Sequence, residues 1–296
     1  MKKIILLLAA LCLLIGCGNN NPKQDKAADS EKITETTAEI NDESAVDDLK
    51  SFAVETYKIQ SSKTITEDGE ENQENLMSFE CEVDIPVTDN QALYDSICYW
   101  FAQQLGSDYN DDPRDVKALV NHYQDRALET EEDEEDDEED DEIAEGFDLS
   151  YTMKLIEAND RYVTYCFGVF FESVGSPRAD MENTYVTFNS NTGTRFTRQM
   201  ILVDEDLKQL VMNELFEQFF SDWSSEQLAE LLFFDPEEEE YGFFLPQYDE
   251  PWIFNNSIYF GYSVHEIADR CTGQPHCGLP YNVMEPYLTE EGKAFF

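Results

Sequence analysis

A chain of 296 residues that carries 65 acidic against 19 basic side chains has a formal charge of −46. A surface like that repels nucleic acid and anionic lipid and attracts cationic proteins, polyamines or divalent ions, which excludes nucleic acid as a partner; acidity also serves plain solubility. With 20 Phe, 15 Tyr and 3 Trp, placed almost wholly after residue 50, the chain has apolar mass for one large core or two small ones.

The chain opens MKKIILLLAALCLLIGCGNNN, where Lys2 and Lys3 precede an apolar run from Ile4 to Ile15 that is too short for a permanent membrane span. Residues 1–16 therefore read as a signal peptide. The run ends Leu14-Ile15-Gly16-Cys17, which resembles the lipobox of bacterial lipoproteins. The resemblance implies lipidation at Cys17 and a lipid anchor to a membrane with no transmembrane helix. Gly18 in place of the Asp that retains such proteins at the inner membrane favours an outer-membrane address where the cell has one. Residues 17–50, with few large apolar side chains and no sustained period, form a lipidated disordered tether with a reach of about 30 Å.

Two strands are predicted in "FAVETYKI" and "MSFECEVDIPV", with Phe79, Cys81, Val83 and Ile85 alternating to one face. "NQALYDSICYWFAQQL" puts Leu93, Ile97, Trp100 or Phe101, and Leu105 on one stripe of an amphipathic helix. Asp112-Pro113 is placed to cap and open a second helix carrying Val116, Leu119, Val120, Tyr123 and Ala127 inward. Glu131 to Glu142 is an unbroken acidic block within an exposed insertion at 129–146. Beyond it come a hairpin about Asn159-Asp160, a strand in "NTYVTFNSNTGTRFT" and a turn at Asn191-Thr192-Gly193. Two helices follow, one capped by Asp204 and one opened by a Ser224/Gln227 capping box, and a hairpin turns at Asn255-Asn256. Strands joined by hairpins with segregated helices give an α+β fold with a mostly antiparallel sheet.

The stretches "FNSNTGTRFT", "DEDLKQLVMNEL", "PWIFNNSIYFGYSVHEIA" and "GLPYNVMEPYL" resemble the extracytoplasmic domain shared by RsiV-type anti-sigma factors, which are lysozyme receptors, and PdaC-type peptidoglycan deacetylases. "FECEVDIPVTDNQALYDSICYWFAQQL" with the 151–172 hairpin looks like the small domain that usually precedes it. The resemblance implies a companion domain over 51–172, an RsiV-like domain over 173–296, and a cationic lysozyme-like protein as first candidate partner. His265 stands where such families generally have Tyr, and Cys271 and Cys277 have no counterpart in the family core.

"SVHEIADRCTGQPHCGLPY" concentrates two histidines, two cysteines and an acidic pair. In an oxidising compartment a loop containing Gly273 and Pro275 favours a disulfide between Cys271 and Cys277. Zinc on His265, His276 and both thiolates is the competing reading, without either a Cys-x-x-Cys pair or a His-Glu-x-x-His string to support it. His265 reads as a strand-end residue and His276 as an exposed loop residue. Cys81, Cys98 and Cys166 lie in apolar elements and leave an odd thiol after any one pairing.

Binding is placed on the acidic block, at Glu131, Asp133, Asp136, Asp140 and Glu142, for a cationic partner; carboxylates also suit calcium, but the spaced Asp-x-Asp-x-Asp-Gly scaffold is missing. No Gly-x-Ser-x-Gly elbow, Walker loop or dinucleotide fingerprint is present, and His122, His265 and His276 do not match the metal site of the deacetylases. The sequence thus assigns no catalytic residue, no metal ligand and no cofactor. It leaves two functions open: a ligand-binding envelope lipoprotein, or an envelope hydrolase of peptidoglycan or polysaccharide using paired carboxylates.

Overall fold

A computed structural model describes residues 52–67, 70–129, 146–173, 179–233 and 244–296. The signal peptide, Cys17, the tether and the acidic block at 131–142 lie outside the described residues.

The fold is α+β with two sheets. The first has five strands in chain order: β1 (Ala53–Glu67), β2 (Glu70–Val87), β3 (Phe147–Ala158), β4 (Tyr162–Ser173) and β5 (Asp180–Asn189). Every pairing is antiparallel except β2 with β3, which run parallel from Met77↔Phe147 to Val83↔Met153. A parallel neighbour needs a crossover, and two helices supply it: α1 (Gln91–Leu105) and α2 (Val116–Leu128). They cover the face on which Phe79, Cys81, Val83, Tyr165, Phe167 and Phe188 are buried. The predicted stripe of α1 is the one that packs, with Leu93, Ile97, Trp100, Phe101 and Leu105 all buried.

Local chemistry explains where these elements begin. Asn90 caps α1 by accepting from Leu93 N (3.3 Å) and donates its amide to the carbonyls of Ser190 and Asn191, fixing the helix start against the turn after β5. Asn159 Oδ1 accepts from the backbone of Arg161 and Tyr162, both at 2.9 Å, and this closes the β3–β4 hairpin at its expected place. The start of α2 differs from expectation. Asp112 spends its carboxylate on Arg114, at 3.0 Å to the backbone and 2.6 Å to the guanidinium, so the cap is Asp115, which accepts from Ala118 N at 3.1 Å.

The second sheet is a three-stranded antiparallel meander: β6 (Trp252–Phe254), β7 (Ser257–Gly261) and β8 (His276–Pro280). Asn255 and Asn256 both take positive φ (49° and 56°), the backbone a two-residue hairpin demands. Its core face packs Ile253, Ile258, Phe260, Cys277 and Leu279 against Leu207, Val211 and Leu215 of α3 (Glu205–Gln218). Asp204 caps α3, and Ser224 with Gln227 forms the capping box of α4 (Ser225–Leu231). Two one-turn helices, α5 (Tyr281–Met284) and α6 (Glu290–Lys293), end the chain.

On the other face of this meander the rings of Tyr185, Trp252 and Tyr259 stack in series, with centroids 4.4 and 5.5 Å apart. A Cβ at Gly278 would lie 2.6 Å from the Tyr259 ring, so this position needs glycine for the aromatic to lie flat on the sheet.

The boundary expected at 172/173 does not separate the two layers, because β5 is the fifth strand of the first sheet and Val186 and Phe188 belong to its core. The joint is a closed hydrogen-bond circuit. Ile253 N donates to Thr187 Oγ1 (2.8 Å), the two threonine hydroxyls are 2.9 Å apart, and Thr164 Oγ1 donates to Ile253 O (2.7 Å). One hydrogen passes per link, so donor balance makes Thr187 the donor to Thr164. Both threonines are fully buried on the sheet face opposite the α1–α2 core.

Candidate functional site

The opening motif of the histidine- and cysteine-rich stretch builds a cleft. In "SVHE" the Oε2 of Glu266 accepts from Ser263 N at 2.9 Å, a capping-box reach, while its Oε1 accepts from Gln247 N at 2.6 Å. One carboxylate thereby holds segment 244–251 beside the turn after β7. His265 supplies the left-handed residue of that turn (φ 68°), and its exposed ring packs T-shaped against that of Phe233, with centroids 4.7 Å apart. Tyr262 adds a bond from its hydroxyl to Phe244 O at 2.9 Å. From the opposite side Arg198 donates from its backbone to Glu250 (2.7 Å) and from its guanidinium to Asp249 O (3.0 Å).

These three segments enclose a cleft of about 180 Å³. Its apolar walls are Ile201, Val203, Phe244, Leu245, Pro246 and Pro251, with Phe260 below. Arg198, Lys208 and Asp249 are its charged members. Arg198 is paired with Glu250 (3.5 Å) and Lys208 with Glu205 (2.7 Å). Among the described residues the side chain of Asp249 takes one hydrogen bond, from the Ser263 hydroxyl to Oδ2 at 2.9 Å. Burial pushes the Asp249 carboxyl up to about 6; the carboxylates of Glu182 and Glu266 add to the rise, and Ser263 and Arg198 oppose it. A carboxyl raised toward neutrality in an apolar cleft is the kind of group that functional sites contain. Among the described lining residues it is the lone carboxylate.

The other predicted positions fall elsewhere. Cys271 and Cys277 are both free thiols, which corrects the expected disulfide. Cys271 is exposed in the one-turn 3-10 helix 270–272, whereas the alternation of β8 turns Cys277 into the second core, where its thiol contacts Val211 O at 3.5 Å. Burial pushes that thiol up to about 12, which makes it an inert core residue. The loop is held instead by Gln274. Its amide accepts from Asn183 N (2.7 Å) and donates to Asn183 O (3.0 Å), doing at one residue what a neighbouring strand would do for the edge of β5.

No group of three or more His, Cys, Asp or Glu residues among the described residues is placed to hold a metal, so the four residues of the zinc reading do not form a site. His276 is the exposed first residue of β8 and not a loop residue; its ring lies near Phe219 and Trp252. His122 contacts Asp108 at 3.2 Å beside Tyr123 and Arg126, a cluster that holds Asp108 down to about 2 and pins the α1–α2 loop. Glu131, Asp133, Asp136, Asp140 and Glu142 lie outside the described residues. Asp249, Ser263 and Glu266 were not singled out from sequence; the legible signal was the S-x-x-E spacing inside "SVHE".

No family model and no curated protein matches this chain. Among solved structures the chain is similar to a DUF3298 family member from Bacteroides fragilis NCTC 9343, at TM-score 0.56 and 18% identity over 82% of this chain and 96% of that one. It also aligns with a DUF3298 family protein from Pseudomonas aeruginosa PAO1, at TM-score 0.49 and 12% identity over the same shares. The first likeness is one of fold. It spans nearly the whole relative, so both sheets belong to one recurring architecture.

Proposed function

We propose that this chain is the binding ectodomain of an envelope lipoprotein, anchored through Cys17, that captures a cationic protein of the lysozyme type. The observation that carries the reading is how positive charge is spent. Most described lysines and arginines lie within ion-pair distance of a carboxylate, among them Lys58 with Glu80, Lys117 with Glu55, Arg270 with Asp180 and Lys293 with Glu290. With 65 acidic against 19 basic side chains in the chain, few cations are left over to offset the remaining carboxylates. Support by analogy comes from the resemblance to RsiV-type ectodomains, whose motif stretches contribute here to one core, from Phe196 through α3 and the β6–β8 meander to Leu288. No described helix is long and apolar enough to cross a membrane, and lipidation of Cys17 supplies the anchor in this reading.

The competing hydrolase reading has the raised carboxyl of Asp249 on its side and lacks a second carboxylate among the described residues of the cleft wall. The deciding measurement titrates the detergent-solubilised full chain against lysozyme and against an equally basic unrelated protein, at low and physiological salt. Lysozyme binding should persist at physiological salt while the control is lost, because exposed charges are screened beyond about 8 Å there. Replacing 131–142 by a Gly/Ser linker should lower the association rate about tenfold and leave dissociation nearly unchanged. Equal loss of both proteins with salt, or binding of neither, would end the proposal.

A further inference from the structure

The cleft is too small for a cofactor and well shaped for one side chain. Its volume of about 180 Å³ falls below the ~300–1,000 Å³ of small-molecule pockets. Its walls are hydrocarbon on both sides, from Val203 and Ile201 across to Phe244, Leu245 and Pro246, and a single acidic group sits among them. Charge decides what would enter. Arg198 and Lys208 are each neutralised by their own glutamate, and Glu182 and Glu266 also act on Asp249, so the charged groups facing it are acidic in sum. Geometry then separates the two cationic side chains. Ser263 donates to Oδ2 of Asp249, and Oδ1 takes no hydrogen bond among the described residues, so Oδ1 is the less encumbered acceptor. A guanidinium is matched by two oxygens side by side, whereas an ammonium is satisfied by one.

We propose that this cleft receives a lysine side chain of the bound partner, the alkyl stem lying between Val203 and the Phe244-Leu245-Pro246 wall and the ammonium resting on Oδ1 of Asp249. The inference rests on the reading that the partner is a cationic protein, and it names the contact that holds the partner after long-range charge has steered it in. The framework is already cross-tied by hydrogen bonds, since Glu266 ties 247 to 263, Tyr262 ties 244, and Arg198 ties 249 and 250, and this pre-organisation lowers the ordering that accompanies entry.

The test uses the full chain with aspartate carboxyls labelled with carbon-13, and Asp249→Asn to assign the signal. n-Butylammonium is the probe and n-butanol the neutral control. Saturating butylammonium should lower the titration midpoint of Asp249 by about one pH unit, since an adjacent cation favours the charged form, and butanol should not move it. Val203→Trp, which fills the mouth without touching Asp249, should abolish the butylammonium effect. Asp249→Asn should speed dissociation of lysozyme about thirtyfold, as loss of a desolvated charge pair does. A midpoint indifferent to butylammonium, or shifted equally in Val203→Trp, overturns the lysine cleft whether or not lysozyme binds. A midpoint that responds in a chain that binds no cationic protein leaves the cleft standing and removes the proposed function instead.

Discussion

Asp249 shows how a buried carboxyl burdens the fold. Its carboxyl titrates at about 6 in the folded chain against an ordinary value of 3.8, with burial as the main cause. Between those values the folded state keeps a proton that the unfolded state has released, so stability falls as pH rises through this window and stays lower above it. Asparagine keeps the acceptor for Ser263 and removes the charge. Asp249→Asn should therefore raise the melting temperature at pH 7.5 by about 2–4 °C, roughly 1 kcal/mol after allowing for partial exposure, and the gain should vanish below pH 4. Calorimetry at the two pH values checks this; a gain independent of pH would mean the charge is not what destabilises. Residue-scale chemistry of this kind was poorly legible in the sequence. Among so many carboxylates Asp249 becomes distinctive only when Phe244, Pro246 and Pro251 close around it, contacts that no local pattern encodes. Cys277 misled for the opposite reason: its spacing from Cys271 suggested a staple, and the inward alternation of β8 decided otherwise.

Secondary structure was far more legible, because local chemistry sets it. Asn90, Asp204 and Ser224 each cap as a side-chain acceptor should, and the Asn255-Asn256 pair turns its hairpin with both φ values positive. The cap of α2 was misplaced because Asp112 and Asp115 offer the same oxygen three residues apart, and Arg114 claims the first. Nor could sequence place β5 in the first sheet, since Thr187 and Thr164 look like ordinary strand residues until Ile253 is seen beneath them. Thr187→Val should strand the buried Ile253 N–H and cost about 1–3 kcal/mol. Thr164→Val removes a donor to a carbonyl on the same circuit, and the double variant should cost less than the two singles added, since both act on one network. Urea titrations of the four proteins measure the coupling; strict additivity would show that the circuit does not act as a unit.

At the scale of the molecule, composition announced an acidic chain with apolar mass for a core, and the structure disposes that mass as two packed clusters joined through β4, β5 and β6. The order in which these parts assemble follows from the parallel β2–β3 seam. Every other neighbour in the first sheet is adjacent in the chain, so the β1–β2 hairpin and the β3–β4–β5 meander can form from local encounters, whereas the seam joins Met77 to Phe147 across a loop of about seventy residues. Seam formation is then the slow search in folding, and its entropy grows only with the logarithm of the chain between its ends. Removing residues 131–142 shortens that search by about 0.2 kcal/mol of closure entropy, so stopped-flow Trp fluorescence should show refolding faster by less than about twofold. Such a connection tolerates changes of length and composition at almost no kinetic cost, so the chain between the two strands is free to vary while the order of the sheet it joins stays fixed.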